Sequence, residues 1–278
     1  MKVIDLIFYF FFYSFIGWFF ESCYCSFKPK KWINRGFLRG PLCPIYGTGA
    51  MVIMLVLMPL REATAKPYIN ELIIFLVGMV VCDAVEFATS YIMEKLFHAR
   101  WWDYSGMRFN IQGRICLTHT LYWGTASCLF CYVIHPIIDL FIIKQVSESS
   151  RSIIVYIILT VFFFDLLDTV INALGIRKIS IKFKKLSDEI SAYAEKVYTV
   201  MGSKFDRISE ESRDEIVSGF AELRCKFDSF KVEASEKKNK TKSRLLRAFP
   251  FLKDGFRRQT AILEELFDDL KDKINKLK

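Results

Sequence analysis

The sequence is poor in the side chains that most enzymes use for catalysis or metal binding. It holds only three histidines, at positions 98, 119 and 135, and none of them has the H-x-x-x-H spacing of a helical zinc site. No Ser-His-Asp, Cys-His or kinase pattern emerges from the sequence either. We therefore assign no catalytic residue at this stage, and we expect neither a metal ion nor another cofactor.

Three further absences narrow the class of protein. There is no Walker A motif, so any ATP hydrolysis that serves this protein would come from another polypeptide. The sequence contains no known motif that recognises bases in a groove of DNA or RNA. We therefore expect no nucleic-acid partner, although the net charge is +9. The first apolar run lacks an A-x-A cleavage site and is too long for a signal peptide, so it is predicted to be an uncleaved span.

Long apolar runs dominate the first two thirds of the chain, which is 53% hydrophobic as a whole. Runs of about 20 residues are long enough to cross a hydrocarbon core of about 30 Å. Five spans are predicted, at about residues 3–26, 44–60, 69–97, 116–142 and 153–175. The predicted fold class is all-α, a polytopic membrane protein of about five transmembrane helices with a C-terminal cytoplasmic helical, coiled-coil-like region. The predicted domains are a transmembrane domain at 1–176 and a cytoplasmic amphipathic tail at 177–278.

Lysines and arginines predict the orientation in the cell membrane. The loop at 27–41 carries five of them, whereas the loops after the second and fourth spans carry two each. Because cation-rich loops stay in the cytoplasm, the N-terminus is predicted to lie outside and the tail in the cytoplasm. The tail holds 25 Lys and Arg against 18 Asp and Glu. This basic excess beside the last span indicates anionic membrane lipid as a partner.

Apolar residues in the tail recur at the spacing of an amphipathic helix. The first series comprises Ile179, Phe183, Leu186, Ile190, Tyr193, Val197, Met201, Phe205 and Ile208. A second series begins at Ile216, and a last helix follows Pro250. We call these apolar helix faces seams, and each seam must pack against another apolar surface to be shielded from water. An intramolecular helical hairpin and a homo-oligomeric coiled coil both fit.

An ionised group inside a membrane span costs a few kcal/mol, and five of the acidic residues in the predicted spans form a set at similar predicted depth. They are Glu21, Asp83, Glu86, Asp165 and Asp168. In the predicted topology they come from three spans at similar depth. We predict that they share a polar pocket open to the cytoplasm, with arginines from two loops as partners. The alternative is that each acid pairs with a loop arginine or a tryptophan N–H and only fixes the packing of the helices.

The loops at 32–50 and 98–124 mix charged, amide and aromatic side chains more than a simple connection would need. We expect both to lie on one side of the membrane and to cap the acidic pocket. The predicted substrate-binding residues are Glu21, Arg35, Glu86, Trp101, Asp103, Asn110 and Arg114. If the protein is an enzyme instead, Asp103 and His119 are the acid–base candidates.

Several of these residues lie in motifs that resemble a known bacterial family. The motifs are Gly17-Trp18 with Glu21, the run N-R-G-F-L-x-G-P-x-C-P-I-Y-G-x-G from Asn34 to Gly49, Glu86 with Glu94, W-x-D-Y-S from Trp101, and N-x-x-G-R-I from Asn110. Over about residues 1–145 the sequence is similar to the family labelled putative ABC-transporter permease, or CmpB-like. The resemblance implies a membrane subunit that works with a separate ATP-binding subunit. The fifth span and the tail lie outside it.

Three functions remain open from the sequence. The first is a permease-like transporter subunit with an acidic pocket, whose helical tail mediates assembly. The second is an intramembrane enzyme that acts on a lipid or another amphiphile at the inner interface. The third is a non-catalytic membrane scaffold in which the tail carries the function and the spans anchor it in the membrane.

Overall fold

A computed structural model describes residues 2–27, 29–63, 66–98, 100–143, 145–203, 210–240 and 243–275. The chain is 83% helical, which confirms the all-α prediction. Its helices are α1 (Val3–Phe27), α2 (Pro44–Val56), α3 (Pro67–Phe97), α4 (Leu117–Leu129), α5 (His135–Ile138), α6 (Glu148–Ser203), α7 (Glu210–Lys240), α8 (Ser243–Ala248) and α9 (Pro250–Asn275). A 3-10 turn at Met58–Glu62 follows α2, and π-helical turns at Phe130–Ile134 and Asp139–Ile143 flank α5. Strands β1 (Asn110–Ile111) and β2 (Ile115–Cys116) form a short antiparallel hairpin.

Prolines mark where several of these helices begin. Pro44, Pro67 and Pro250 are each the first residue of their helix. The fixed φ of proline suits this position, and its missing N–H would have had no helical partner there. α1 ends at Phe27, two residues before Pro29, because proline disfavours helical backbone in the residue that precedes it.

Four helical segments are long and apolar enough to cross a membrane: Val3–Phe27, Pro67–Phe97, Leu117–Phe141 and Glu148–Met201. The second predicted span begins with α2, an apolar helix of 13 residues, and continues through the 3-10 turn. At about 1.5 Å per α-helical residue and about 2.0 Å per 3-10 residue, these two elements together extend roughly 30 Å. The structure therefore agrees with the five predicted spans, although the second contains a shorter α-helix than expected.

The chain divides into two compact units. One comprises Met1–Leu96 and Arg100–Ile171, and the other comprises Phe97–Ala99 and Asn172–Lys278. α6 contributes residues to both, since the helix continues through the predicted domain boundary at residue 176. That the tail is a separate cytoplasmic domain stays a prediction.

In the first unit, α1 and α2 approach each other closely because glycines face the neighbouring helix. A Cβ atom on Gly17 would lie 2.2 Å from Cγ of Tyr46, and one on Gly47 would lie 2.2 Å from Oγ of Ser14. Neither contact is sterically allowed, so any larger residue at these two positions would push the helices apart. The close packing holds the side chain of Tyr46 against the end of α1.

In the second unit, the tail helices pack on one another. Phe183 of α6 contacts Phe230 of α7, and Tyr193 of α6 donates its hydroxyl to the carbonyl of Ile216, so α6 and α7 run antiparallel. The core of this unit comprises Phe183, Leu186, Ile190, Leu223, Phe227, Phe230, Leu263 and Phe267. Within the described residues, the apolar series predicted from the sequence thus bury each other within one chain, as the intramolecular alternative requires; Phe205 and Ile208 lie outside the described residues. Association of two chains through these helices stays a prediction.

Candidate functional site

Glu86 is the most buried acid of the predicted substrate-binding set. It lies on α3 and is only 6% exposed. Tyr104 donates its hydroxyl to Oε1 of Glu86 at 3.0 Å, and Trp123 donates its indole N–H to Oε2 at 2.9 Å. Both donors are neutral. Within the described residues, no lysine or arginine forms an ion pair with this carboxylate.

Asp83 lies three residues before Glu86, and both carboxylates contact α4, as their spacing on one helix face predicts. Oδ2 of Asp83 accepts the hydroxyl of Thr120 at 2.5 Å. Oδ1 of Asp83 is buried and has no hydrogen-bond partner in the described part of the chain. Two carboxylates of α3 are therefore bound by neutral donors.

Glu21, near the end of α1, has the loop-arginine partner that the sequence suggested. Arg35 donates from Nε to Oε1 of Glu21 at 3.2 Å, and its backbone N–H donates to Oγ of Ser22 at 3.2 Å. The side chains of Arg35 and Glu21 are 20% and 25% exposed. This ion pair is therefore more accessible than the carboxylate of Glu86.

Tyr46 and Trp123 connect the two glutamates. The hydroxyl of Tyr46 interacts electrostatically with the carboxylate of Glu21. Its ring centroid lies 6.5 Å from that of Trp123, which in turn donates to Glu86. Glu21 and Glu86 thus belong to one polar cluster, to which α1, α2, α3 and α4 all contribute. We call it the Glu86 cluster and define it as Glu21, Arg35, Tyr46, Asp83, Glu86, Tyr104, Thr120 and Trp123.

Asp165 and Asp168 of α6 lie outside this cluster. Asp165 accepts the backbone N–H groups of Arg39 and Gly40 at 2.9 and 2.7 Å. Asp168 forms an ion pair with Arg39 at 2.7 Å. That all five acids share one pocket stays a prediction. Asp165 and Asp168 fasten the loop before α2 to α6, which corresponds to the packing alternative.

Arg114 pairs with Glu94 rather than with Glu86. Its Nη2 lies 2.6 Å from Oε2 of Glu94, and its Nη1 donates to Ser90 at 3.1 Å. Arg100 shares the same carboxylate at 3.2 Å. Glu94 lies eight positions beyond Glu86, or about 12 Å along an α-helix. Arg114 therefore supplies a loop-arginine partner to Glu94, an acid outside the predicted set of five.

Asp103 and Asn110 form hydrogen bonds within their own loop. Oδ1 of Asp103 accepts the backbone N–H of Ser105 at 2.9 Å. Asn110 donates to the carbonyl of Met107 at 2.8 Å and accepts the N–H of Gly113 at 3.0 Å. These contacts hold the conformation of the loop, and they do not bring Asp103 to the Glu86 cluster.

Trp101 joins the two polar loops. It is 3% exposed, and its ring packs edge-to-face on Phe37, with centroids 5.1 Å apart. This contact brings loop 32–50 together with loop 98–124. Because the ring is buried, its role in the present structure is to pack the loops.

His119 stacks on Tyr104, with ring centroids 4.4 Å apart and an interplanar angle of 18°. Burial and the Glu86 carboxylate raise the pKa of the Tyr104 hydroxyl, so it stays protonated and donates. Nδ1 of His119 also lies 3.0 Å from Sγ of Cys116. His119 was a candidate from the sequence and Cys116 was not, although the C-x-x-H spacing at 116–119 was a signal for this pair. Tyr104, Thr120 and Trp123 were not predicted as site residues either, because neutral donors have no charge pattern to mark them.

The sequence matches the model of the family described as "Putative ABC-transporter type IV" over residues 8–170. The match extends beyond residue 145, where the resemblance found in the sequence ended, and it includes most of the predicted fifth span. No curated protein and no solved structure matches the chain. With its apolar helices of membrane-spanning length, the chain is a membrane protein, and it belongs to this ABC-transporter-related family.

Proposed function

We propose that the chain is the permease-like subunit of an ABC-type transporter. In this proposal the Glu86 cluster is an acidic substrate site open to the cytoplasmic side, and a separate ATP-binding polypeptide is the partner. The observation that carries the proposal is the contact set of Glu86, a buried carboxylate on an apolar helix that is held by two neutral donors.

The charge of Glu86 is not needed for helix packing. Where α3 uses a carboxylate structurally, as at Glu94, arginines neutralise it. Breaking such a pair leaves an uncompensated charge, which is strongly unfavourable in a buried environment. Glu86 forms no such ion pair with an arginine in the described part of the chain, so its carboxylate can bind a cationic group of a substrate or take up a proton. Tyr104 and Trp123 orient the carboxylate without neutralising it.

The contacts of the predicted site residues separate them into two groups, those that could bind a substrate and those that hold the loops in place. Glu21 and Arg35 form an accessible ion pair at the edge of the cluster. A bound substrate could replace one residue of this pair as the partner of the other. Trp101, Asp103 and Asn110 are held within or between the loops, and Arg114 fastens its loop to α3. We assign the substrate contacts to Glu21, Arg35 and Glu86, and we assign the loop conformation to the other four residues.

The orientation in the proposal follows from the distribution of cations. The loops that approach the Glu86 cluster, at 27–41 and 98–114, are the cation-rich ones and belong in the cytoplasm. The N-terminus would then lie outside, and the basic tail would lie in the cytoplasm, where an ATP-binding subunit would also be. Anionic lipid at the inner face is the second partner of the basic tail.

The proposal is tested by purifying the full-length chain from its native membranes in a mild detergent. We expect an ATP-binding polypeptide to co-purify in a fixed ratio and the complex to hydrolyse ATP. Glu86→Gln should lower the hydrolysis rate of the assembled complex by about fivefold or more, the usual scale of coupling between distant sites. Glu71→Gln is the matched control, because Glu71 is an exposed carboxylate on the same helix.

Two results would contradict the proposal. One is a homogeneous preparation of this chain alone, with or without bound lipid, that contains no ATP-binding polypeptide. The other is a complex in which Glu86→Gln and Glu71→Gln hydrolyse ATP at the same rate as the wild type. The second result would keep the transporter subunit and remove the role of Glu86.

A further inference from the structure

Three soft donor atoms meet beside the Glu86 cluster. Sγ of Cys116 lies 3.0 Å from Nδ1 of His119 and 3.6 Å from Sδ of Met107. Met107 comes from the loop after α3, Cys116 from β2, and His119 from the first turn of α4. The fold thus brings a thiol, a thioether and an imidazole together from three different elements.

The trio is partly enclosed, since Cys116 is buried while Met107 and His119 are half-buried. Cys116 is only 1% exposed. The ring of Tyr104 covers one face of the His119 imidazole at 4.4 Å. Asp83 interacts electrostatically with His119, and its buried Oδ1 lacks a hydrogen-bond partner in the described part of the chain. A carboxylate beside the imidazole is the usual support of a metal-binding histidine.

We infer that Met107, Cys116 and His119 form a binding site for Cu(I). Thiolate and thioether sulfurs are soft ligands that select this ion, and imidazole binds it as well. A thioether is not among the donors of zinc sites, which use Cys, His, Asp and Glu. Within the described residues no group of three His, Cys, Asp or Glu side chains is suited to a metal ion. This trio differs because one of its donors is a methionine.

The geometry of the trio requires a small adjustment to admit an ion. At metal–ligand bond lengths of about 2.0 to 2.3 Å, donors around one ion lie roughly 3.5 to 4 Å apart. The observed separations of 3.0 and 3.6 Å must therefore open by less than about 1 Å. Cys116 stands at the N-terminal end of α4, where the helix dipole stabilises the negative charge of a metal-bound thiolate.

The inference does not rest on the proposed transport function. The trio includes none of the residues assigned to the substrate, and its binding of Cu(I) can be measured whether or not an ATP-binding partner exists. Two of the three donors, Met107 and Cys116, belong to the segment 98–116 between α3 and α4. A resident copper ion and a transported one would use the same donors.

The test uses the full-length chain purified in detergent without oxygen. Cu(I) is titrated in competition with a chromophoric Cu(I) chelator, and the bound equivalents and the dissociation constant are measured. Cys116→Ser removes the thiolate, and Met107→Leu removes the thioether but keeps the apolar volume. Cys43→Ser is the matched control, because Cys43 is another buried thiol in a polar loop. Thermal unfolding of each apo variant shows that it is folded.

We expect Cys116→Ser to lose one tightly bound equivalent and Cys43→Ser to keep it. Met107→Leu should weaken that equivalent by about tenfold or more, the scale on which even supporting residues of a metal site act. X-ray absorption of the one-equivalent sample should show two sulfurs and one nitrogen. Equal binding by the wild type, Cys116→Ser and Met107→Leu would overturn the site. Displacement of the bound Cu(I) by an equal concentration of Zn²⁺ would overturn the choice of metal.

Discussion

The indole N–H of Trp123 donates to the carboxylate of Glu86 across the boundary between α3 and α4, with Nε1 2.9 Å from Oε2. A tryptophan in this position satisfies one oxygen of a buried carboxylate and leaves its charge uncompensated. Tyr104 satisfies the other oxygen in the same way from the loop. The two bonds explain how α3 keeps an acid in an apolar environment, and they link the loop to both helices.

Replacement of Glu86 should therefore destabilise the protein through its partners. Glu86→Ala leaves the Tyr104 hydroxyl and the Trp123 N–H without an acceptor, at a cost of about 1–3 kcal/mol for each. Glu86→Gln retains one carbonyl acceptor and should lose less. The measurement is the thermal unfolding midpoint of the full-length chain in detergent. Equal midpoints for Glu86→Ala and for Glu71→Ala, on the exposed face of α3, would contradict the prediction.

The helical class and the positions of the spans could be predicted from the sequence, because long apolar runs have few alternatives. The spacing of Asp83 and Glu86 also predicted that they share a helix face, and both contact α4. Sequence periodicity could indicate this much because it depends on one helix alone.

The partners of the acids could not be predicted, because they depend on how the helices rotate and where the loops fold. Arg114 was predicted to line the same pocket as Glu86, but the loop places it at Glu94, about 12 Å further along α3. Asp165 was assigned to the pocket, but it binds the backbone of loop 32–50. Such contacts are set by tertiary structure, and a list of charged residues does not contain them.

Arg114 should stabilise the loop through its bonds to Glu94 and Ser90. Arg114→Leu removes a 2.6 Å charge-assisted bond and leaves Glu94 with Arg100 only, so we expect a loss of about 1–3 kcal/mol. Arg114→Lys should restore part of it, because lysine supplies the charge without the planar fork. The matched control is Arg108→Leu, on an exposed position of the same loop. Identical unfolding midpoints for the two leucine variants would show that the part-buried ion pair adds nothing to stability.

Gly113 is required by the backbone of the same loop. Its φ of +68° is unfavourable for other residues, and a Cβ there would lie 2.4 Å from Oδ1 of Asp103. Gly113→Ala should cost at least about 1–2 kcal/mol, the penalty for left-handed backbone. The readout is the rate of tryptic cleavage after the exposed Arg108. Gly106→Ala, which meets nothing within 4 Å, is the control, and equal cleavage rates for both variants would refute the argument.

Phe267 should carry much of the packing energy of the tail. It is fully buried, and its ring contacts Phe227 at a centroid distance of 5.3 Å. Phe267→Ala should cost about 3–5 kcal/mol, as other buried aromatic truncations do. We expect faster backbone hydrogen exchange in α7 and α9 of the full-length chain. Ile262→Ala is the control, because Ile262 is 61% exposed on the same helix. Unchanged exchange in Phe267→Ala would mean that the helices do not depend on this contact.

The orientation of the chain can be tested with two cysteines on either side of the predicted fifth span. Cys225 on α7 is exposed, and Ser149 is an exposed residue at the start of α6. In a Cys23→Ser background, a membrane-impermeant maleimide should label Ser149→Cys in intact cells. It should label Cys225 only after permeabilisation, because the tail is predicted to be cytoplasmic.

Each other outcome of this labelling experiment has a definite meaning. Labelling of Cys225 but not of Ser149→Cys in intact cells would invert the orientation and place the Glu86 cluster on the outer side. Labelling of both from the same side would mean that α6 does not cross the membrane, because only α6 separates position 149 from the tail helices. The five-span topology would then be wrong, and α6 would have to lie along the membrane surface with its apolar side chains in the interface.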